Sequence, residues 1–322
     1  MKIGFCLTDI QDYHLYGYLI DYYISKSHNI TIFYDNTVKK TTSPCRNMDM
    51  VKQFSCQYSH YKDANHCNKL VSDYDILITN EGMPFKSRIN IFPDLYALSW
   101  ATEYYVHGPR YLNMCKYFFC DCSKDALKDT FDFNKYSTKV IYGCHPKYYI
   151  LHNKNKNDVC RELDLDSDKR YVTVFGPAPA QNWLAKSKDI IKLVKEIKKR
   201  GYFIIYKQKP KSKDVSVCYY DQKMLHKHKK YSTSLMLTYI SDFTIGFNTS
   251  AVVESVRTAT PFINLYLDHN VVNYRVHPVS KIHYDRILRL EYFDKKQIHQ
   301  FIDNYCNSEK NIDYSIAKEL NI

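Results

Sequence analysis

The sequence contains no apolar stretch of about 18 residues or more, so no membrane span is predicted. Peripheral contact with a membrane is left open. No secretory leader is expected either. MKIGFCLTDI turns polar before a long apolar region and a small-residue cleavage site can follow, and its first residues read better as a buried strand. The chain has eleven cysteines, an odd number without regular spacing, and no Cys-x-x-Cys pair. That argues against a disulfide framework, and Cys120 and Cys122 stand too close together for half of an ordinary zinc site. The thiols therefore read as reduced and mostly buried, in a cytoplasmic protein. No Asp-x-Asp pair sits at a strand end. Asp164-Leu165-Asp166 has the letters but lies in a polar stretch and reads as solvated, so no metal is expected. RNA-recognition, zinc-finger and basic-leucine signatures are also absent.

The formal charge is +12 at pH 7. Such a balance fits nucleic acid, an anionic membrane surface or phosphate-bearing substrates. The positive charge is spread over both halves, with its densest runs at Lys207–Lys213 and Lys223–Lys230. Heavy use of Lys, Asn, Ile and Tyr fits an AT-rich coding sequence, which discounts part of the charge and most of the 31 tyrosines. No specific nucleic-acid partner is expected.

A chain of 322 residues is long enough for two domains. Short apolar runs alternate with helical patterns, which implies α/β architecture with parallel sheets and crossover helices. Strands are predicted at Lys2–Leu7, Ile30–Tyr34, Asp75–Thr79, Leu95–Trp100, Tyr117–Cys120 and Val140–Tyr142. Helices are predicted at His14–Ile24 and from Ser123 to about Thr130. The polar run Asn153–Lys169 reads as a linker, placing the boundary near residue 155. The pattern then restarts with a strand at Tyr171–Phe175 and an amphipathic helix over Trp183–Arg200, with Ile190, Ile191, Val194 and Ile197 on one face. Gly201 stops that helix. Strands follow at Tyr202–Tyr206, Phe243–Ile245 and Phe262–Leu265. Helical stretches are expected near Gln222–Lys230 and at Ser232–Ile240, Ser250–Thr258, Lys295–Tyr305 and Tyr314–Leu320.

The most informative segment is Asp242–Leu265, DFTIGFNTSAVVESVRTATPFINL. A buried strand ends at Gly246, the polar turn Asn248-Thr249-Ser250 opens a helix, Glu254 follows, and Pro261 precedes another strand. A helix start at the carboxyl end of a parallel strand presents backbone N–H groups to a crevice where open α/β sheets bind ligands. The bland alternative is that Thr249 or Ser250 only caps the helix.

This segment resembles the donor-diphosphate motif of GT-B glycosyltransferases and their relatives. Those relatives include CDP-glycerol glycerophosphotransferases, capsule polysaccharide transferases and non-hydrolysing UDP-N-acetylglucosamine 2-epimerases. Asn248, Thr249, Ser250, Glu254 and Pro261 match its strand, Ser/Thr turn, acidic helix and small-Pro strand entry. The resemblance implies two Rossmann-like domains with parallel sheets facing across a cleft. An acceptor domain would span 1–155 and a nucleotide-donor domain 156–322, the last helices closing back toward the first. It also implies that Thr249 and Ser250 contact the donor phosphate and Glu254 its ribose or sugar. Phe203–Pro210, FIIYKQKP, is similar to the Lys-x-His-Pro element of the glycerophosphotransferases. Lys207 fits it, and Lys209 stands where the family has His, keeping a cation near the diphosphate; a solvated basic loop is the competing reading. Gly176, in Phe175-Gly176-Pro177-Ala178, would permit close approach of backbone to donor, although Gly-Pro after a strand is usually only a turn.

The first domain is expected to supply the general base. Glu81, Glu103 and His107 follow predicted strands, and His107-Gly108 resembles a His-Gly pair of the glycerophosphotransferases. His14, just beyond the first strand, is a further candidate. A neutral His or a carboxylate can take the acceptor proton. The expected function is a metal-independent glycosyltransferase moving a sugar from a nucleotide-sugar to a glycan or other hydroxyl acceptor, with no cofactor. The alternatives are a CDP-alcohol phosphotransferase or nucleotide-sugar epimerase on the same scaffold, and a non-catalytic protein that binds nucleic acid or another polyanion.

Overall fold

The computed structural model describes residues 1–7, 10–35, 52–80, 95–99, 117–120, 133–135, 139–142, 146–176, 187–208, 219–224, 231–247, 249, 251–265, 286–290 and 292–305. The chain divides into two units. One comprises Met1–Ile150, Lys229–Ser232 and Asp313–Ile322; the other comprises Leu151–His228 and Thr233–Ile312.

In the first unit, β1 (Lys2–Leu7), β2 (Asn29–Asp35), β3 (Gln57–Tyr61), β4 (Ile76–Asn80), β5 (Leu95–Ser99), β6 (Tyr117–Cys120) and β7 (Lys139–Tyr142) form a seven-stranded sheet. All its pairings are parallel, in the order β3-β2-β1-β4-β5-β6-β7. β1 is buried from its second residue on, as a central parallel strand covered on both faces must be. Ile3, Phe5 and Leu7 pack with Leu15, Tyr16, Leu19 and Ile20 of α1 (Ile10–Ser25). Helix α2 (Ala64–Val71) starts at Asp63, whose carboxylate accepts from the His66 backbone N–H at 2.9 Å.

The second unit begins where a linker was predicted. Residues Lys156–Leu163 instead form helix α3, opened by a reciprocal cap in which Asn155 and Asp158 accept each other's backbone N–H. Its spacing buries Val159, Cys160 and Leu163. Asp164 ends it in the left-handed region at φ 52°, so the Asp-Leu-Asp stretch begins as a helix terminus.

A six-stranded sheet follows: β8 (Tyr171–Phe175), β9 (Phe203–Lys207), β10 (Gln222–Met224), β11 (Ser241–Gly246), β12 (Phe262–Leu265) and β13 (Ile287–Leu290). It is again parallel, in the order β10-β9-β8-β11-β12-β13. Residues 222–224 are therefore strand rather than the expected helix. Its helices are α4 (Ser187–Lys199), α5 (Thr233–Ile240), α6 (Ala251–Arg257) and α7 (Lys295–Tyr305). The face of α4 facing the core is Ile190, Leu193, Val194 and Ile197, while Ile191 is half-buried. These residues pack with Val172, Val174, Ile204, Phe243 and Ile245 of the sheet and with Ile298, Phe301 and Ile302 of α7. Gly201 follows α4 at φ 81°, the conformation that lets glycine end a helix cheaply.

Strands numbered within each sheet run 3-2-1-4-5-6, with a seventh added in the first. This doubly wound order reverses direction between the first and fourth strands. Chemistry in such sheets gathers outside the carboxyl ends at that reversal.

Candidate functional site

The reversal in the second sheet lies between β8 and β11. Thr173 stands opposite Thr244 and Val174 opposite Ile245, so one residue on Phe175 reaches the level of Gly246. Phe175 also stands opposite Lys207, Lys207 opposite Met224, and Gly246 opposite Asn264. Gly176, Lys207 and the turn after Gly246 therefore share one sheet edge, the carboxyl edge. Three segments that resemblance assigned to the donor meet there.

Gly176 leaves β8 with its backbone N–H donating to the Lys207 carbonyl at 3.0 Å. A Cβ on Gly176 would come 2.7 Å from the Tyr206 hydroxyl. Close approach is thus required at Gly176, and the neighbour that requires it is Tyr206. That phenol ring stacks on Tyr220 at 5.6 Å between centroids and 17° between planes.

Lys207 is 3 % exposed, and its Nζ donates to the Gln208 carbonyl at 3.1 Å. Burying an ammonium is costly unless polar partners surround it, so a lysine here is a specific arrangement and not a solvated surface charge. Gln208 is buried beside it. No alternation marked either residue, because Ile204, Ile205, Tyr206 and Lys207 are all buried in a strand covered on both faces.

Gly246 closes β11. A Cβ there would meet the Phe262 ring and the Thr249 methyl, both at 2.5 Å. The turn can therefore fold tightly over the strand end only with glycine at this position. Thr249 is buried, its Oγ1 accepts from the Ala251 N–H at 3.4 Å, and its carbonyl accepts from Val252 at 3.2 Å. Its observed contacts are those of a helix cap. Glu254 lies one turn into α6 with its side chain buried, and its carbonyl holds both the N–H and the hydroxyl of Thr258.

Sequence patterning missed the hydroxyl network that holds α6. Thr244 Oγ1 and Ser255 Oγ lie 2.8 Å apart, and Ser255 also donates to the Ala251 carbonyl at 3.2 Å. The Thr258 and Thr260 hydroxyl oxygens lie 2.8 Å apart, and Thr260 Oγ1 lies 3.1 Å from the Thr238 carbonyl of α5, so this pair shares its two protons among the Glu254 and Thr238 carbonyls and each other. The signal was the density of Thr and Ser in an otherwise apolar strand and helix. Among the candidates, Glu81, Glu103, His107, Lys209, Asn248 and Ser250 lie outside the described residues. His14 lies in α1 of the first unit. No helix among the described residues is long and apolar enough to cross a membrane.

No protein-family model matches the sequence, and no curated protein does. Solved structures do resemble it. The UDP-GlcNAc 2-epimerase from Methanocaldococcus jannaschii matches with TM-score 0.56 at 11% identity, over 97% of this chain and 94% of that one. The wall teichoic acid polymerase TagF matches with TM-score 0.58 at 13% identity, over 99% and 87%. The glycotransferase of kitacinnamycin matches with TM-score 0.53 at 8% identity, over 99% and 92%. At these identities the likeness is one of fold, and two doubly wound parallel units in sequence give this chain the fold of the GT-B glycosyltransferases and their relatives.

Proposed function

We propose that the protein is a glycosyltransferase that holds a nucleotide-sugar by its diphosphate at the carboxyl edge of the second sheet and transfers the sugar to a hydroxyl acceptor. The observation that carries this reading is that Gly176, Lys207 and Thr249, just past Gly246, stand at the carboxyl ends of the three adjacent strands β8, β9 and β11, beside the reversal between β8 and β11. In doubly wound sheets that is where phosphate-bearing ligands bind.

In the reaction, the bond between the anomeric carbon and the diphosphate oxygen breaks. A bond from that carbon to the acceptor oxygen forms, and the acceptor proton passes to a base. The nucleoside diphosphate leaves with its added charge. The Lys207 ammonium, together with Lys209 and the backbone and hydroxyl groups of Asn248–Ser250, answers that charge in place of a metal. Glu254 accepts hydrogen bonds from hydroxyls of the ribose or sugar. Resemblance assigns the base to the first unit, with Glu81, Glu103 and His107 as its candidates. The odd, irregularly spaced cysteines, read as reduced thiols, support a cytoplasmic location.

The likeness to TagF favours a second reading, transfer from a CDP-linked alcohol on the same scaffold. One experiment separates the two. Thermal unfolding is followed with UDP, GDP and CDP, and nucleotide release is assayed over a panel of nucleotide-sugars and CDP-glycerol. A sugar nucleotide turned over by wild type, with binding weakened roughly tenfold or more in Lys207→Met and Glu254→Gln, is the expected result. Turnover of CDP-glycerol alone selects the second reading. Undiminished nucleotide binding by both variants removes the site.

A further inference from the structure

The outer face of α4 is an unbroken basic strip. Lys188, Lys192, Lys195 and Lys199 are all exposed and follow one another at intervals of four, three and four. At 100° per residue this spacing confines them to an arc of about 60°, along about 16 Å of helix. The two acidic residues of the helix are turned away: Asp189 is 8 % exposed and Glu196 9 %. Glu196 is already engaged, taking Lys295 at 3.0 Å, His299 at 3.1 Å and Lys199 at 3.6 Å. Lys198, beside the strip, is answered by Asp221 at 2.7 Å.

One aromatic ring touches this strip, and a second follows that ring in sequence. Tyr219 and Tyr220 are 55 % and 38 % exposed, among the few large hydrophobic side chains that the described surface leaves in water. The Lys195 ammonium lies 4.9 Å from the Tyr219 ring centroid, so ring and strip are contiguous. Tyr220 is held by its stack on Tyr206.

We infer that this face docks on an anionic lipid surface, with the four lysines among the headgroup phosphates and the two tyrosines at the interface. Three features favour a bilayer over nucleic acid. The strip lies on the convex outer face of one helix. Its cations are all lysine, point charges without the forked geometry that suits base edges and bidentate phosphate contacts. Tyrosine beside lysine is the pairing that settles at the headgroup level. Each lysine near an anionic leaflet raises partitioning roughly fivefold. Four acting together give several hundredfold, reduced by salt within a Debye length of about 10 Å at 0.1 M.

The test is co-sedimentation of the full chain with vesicles of phosphatidylcholine alone or with about a third phosphatidylserine. The variant Lys188→Gln/Lys192→Gln/Lys195→Gln/Lys199→Gln is compared with a control of equal charge. That control, Lys2→Gln/Lys26→Gln/Lys52→Gln/Lys62→Gln, changes exposed lysines of the first unit. Glutamine and lysine have nearly equal helix propensity, so α4 persists. Wild type should prefer the anionic vesicles. The strip variant should lose roughly a hundredfold or more and the control no more than about threefold. No preference by wild type, or equal losses in the two variants, overturns the inference. So does tighter binding of duplex DNA than of vesicles at the same salt, lost in the strip variant. The measurement needs no turnover, so its outcome is independent of the proposed activity.

Discussion

The Gly176 N–H and the Lys207 carbonyl, 3.0 Å apart, tie the ends of β8 and β9 together on the side of β8 away from its reversal with β11. This bond holds the exit of the first strand against a strand end carrying a buried lysine. A change at either residue is therefore a change in the geometry of the proposed donor site.

Gly176→Ala should destabilise the protein by about 1–3 kcal/mol, because the new methyl would lie 2.7 Å from the Tyr206 hydroxyl. The next nearest atom, Tyr206 Cζ, is 3.2 Å away. Tyr206→Phe should therefore restore much of the loss in the double variant. Urea midpoints of the four proteins check this, and purely additive effects would refute the clash.

Thr244→Val removes the 2.8 Å bond to Ser255, whose hydroxyl keeps the Ala251 carbonyl, at a cost of about 0.5–1.5 kcal/mol. Ser255→Ala does the converse. A double-mutant cycle should give a coupling of at least about 0.5 kcal/mol. Under the proposed function, nucleotide affinity should fall with the loosening of α6, which titration calorimetry reads separately from stability.

Ala259 holds φ 53°, a left-handed conformation that costs an ordinary residue roughly 1–2 kcal/mol. Its carbonyl accepts from Arg286 Nη1 at 2.8 Å, which fixes the turn. Ala259→Gly removes the strain but gains backbone freedom in the unfolded chain, so a net stabilisation of about 0.5–1 kcal/mol is expected. A lower melting temperature for the glycine variant would contradict this.

Burial pushes the Tyr171 hydroxyl up to about 12, with smaller contributions from Cys160 and Asp166. Its proton is donated to the Asp166 carbonyl at 2.6 Å. The folded value lies above the unfolded value near 10, so this stabilisation is complete below about pH 10. It is lost as pH rises toward 12, because the unfolded chain ionises first. Tyr171→Phe should therefore show a shallower decline of denaturant midpoint between about pH 10 and 12 than wild type. Parallel declines would contradict it.

If lysines and backbone groups answer the leaving diphosphate, chelation with EDTA should leave turnover of the nucleotide-sugar within about twofold, and added magnesium should not raise it. An activity abolished by EDTA and restored by a divalent ion would overturn the metal-independent reading.

Several elements were legible from pattern alone. β1 and α7 carry the bounds that apolar runs and helical spacing predicted, and Gly201 marked the end of α4. The strands that escaped notice, β3, β10 and β13, all stand at sheet edges. An edge strand has one neighbour and keeps polar residues, as QYSHY and QKM do, so it lacks the continuous apolar run of a central strand. Helix α3 was hidden because its three buried residues lie within a charged stretch, and the Asn155–Asp158 cap that signals it is itself polar.

Composition and periodicity by themselves determined that this chain builds parallel α/β units, because burial on both faces of a strand demands apolar runs that local sequence records. They also placed a tight turn between Gly246 and Ala251. Only the tertiary structure decided that Lys207 is buried, that Gly176 faces Tyr206, and that these meet the β11 turn at one edge. Those facts depend on strand order and register, which join residues some 30 to 70 positions apart, and local periodicity carries no information over such separations.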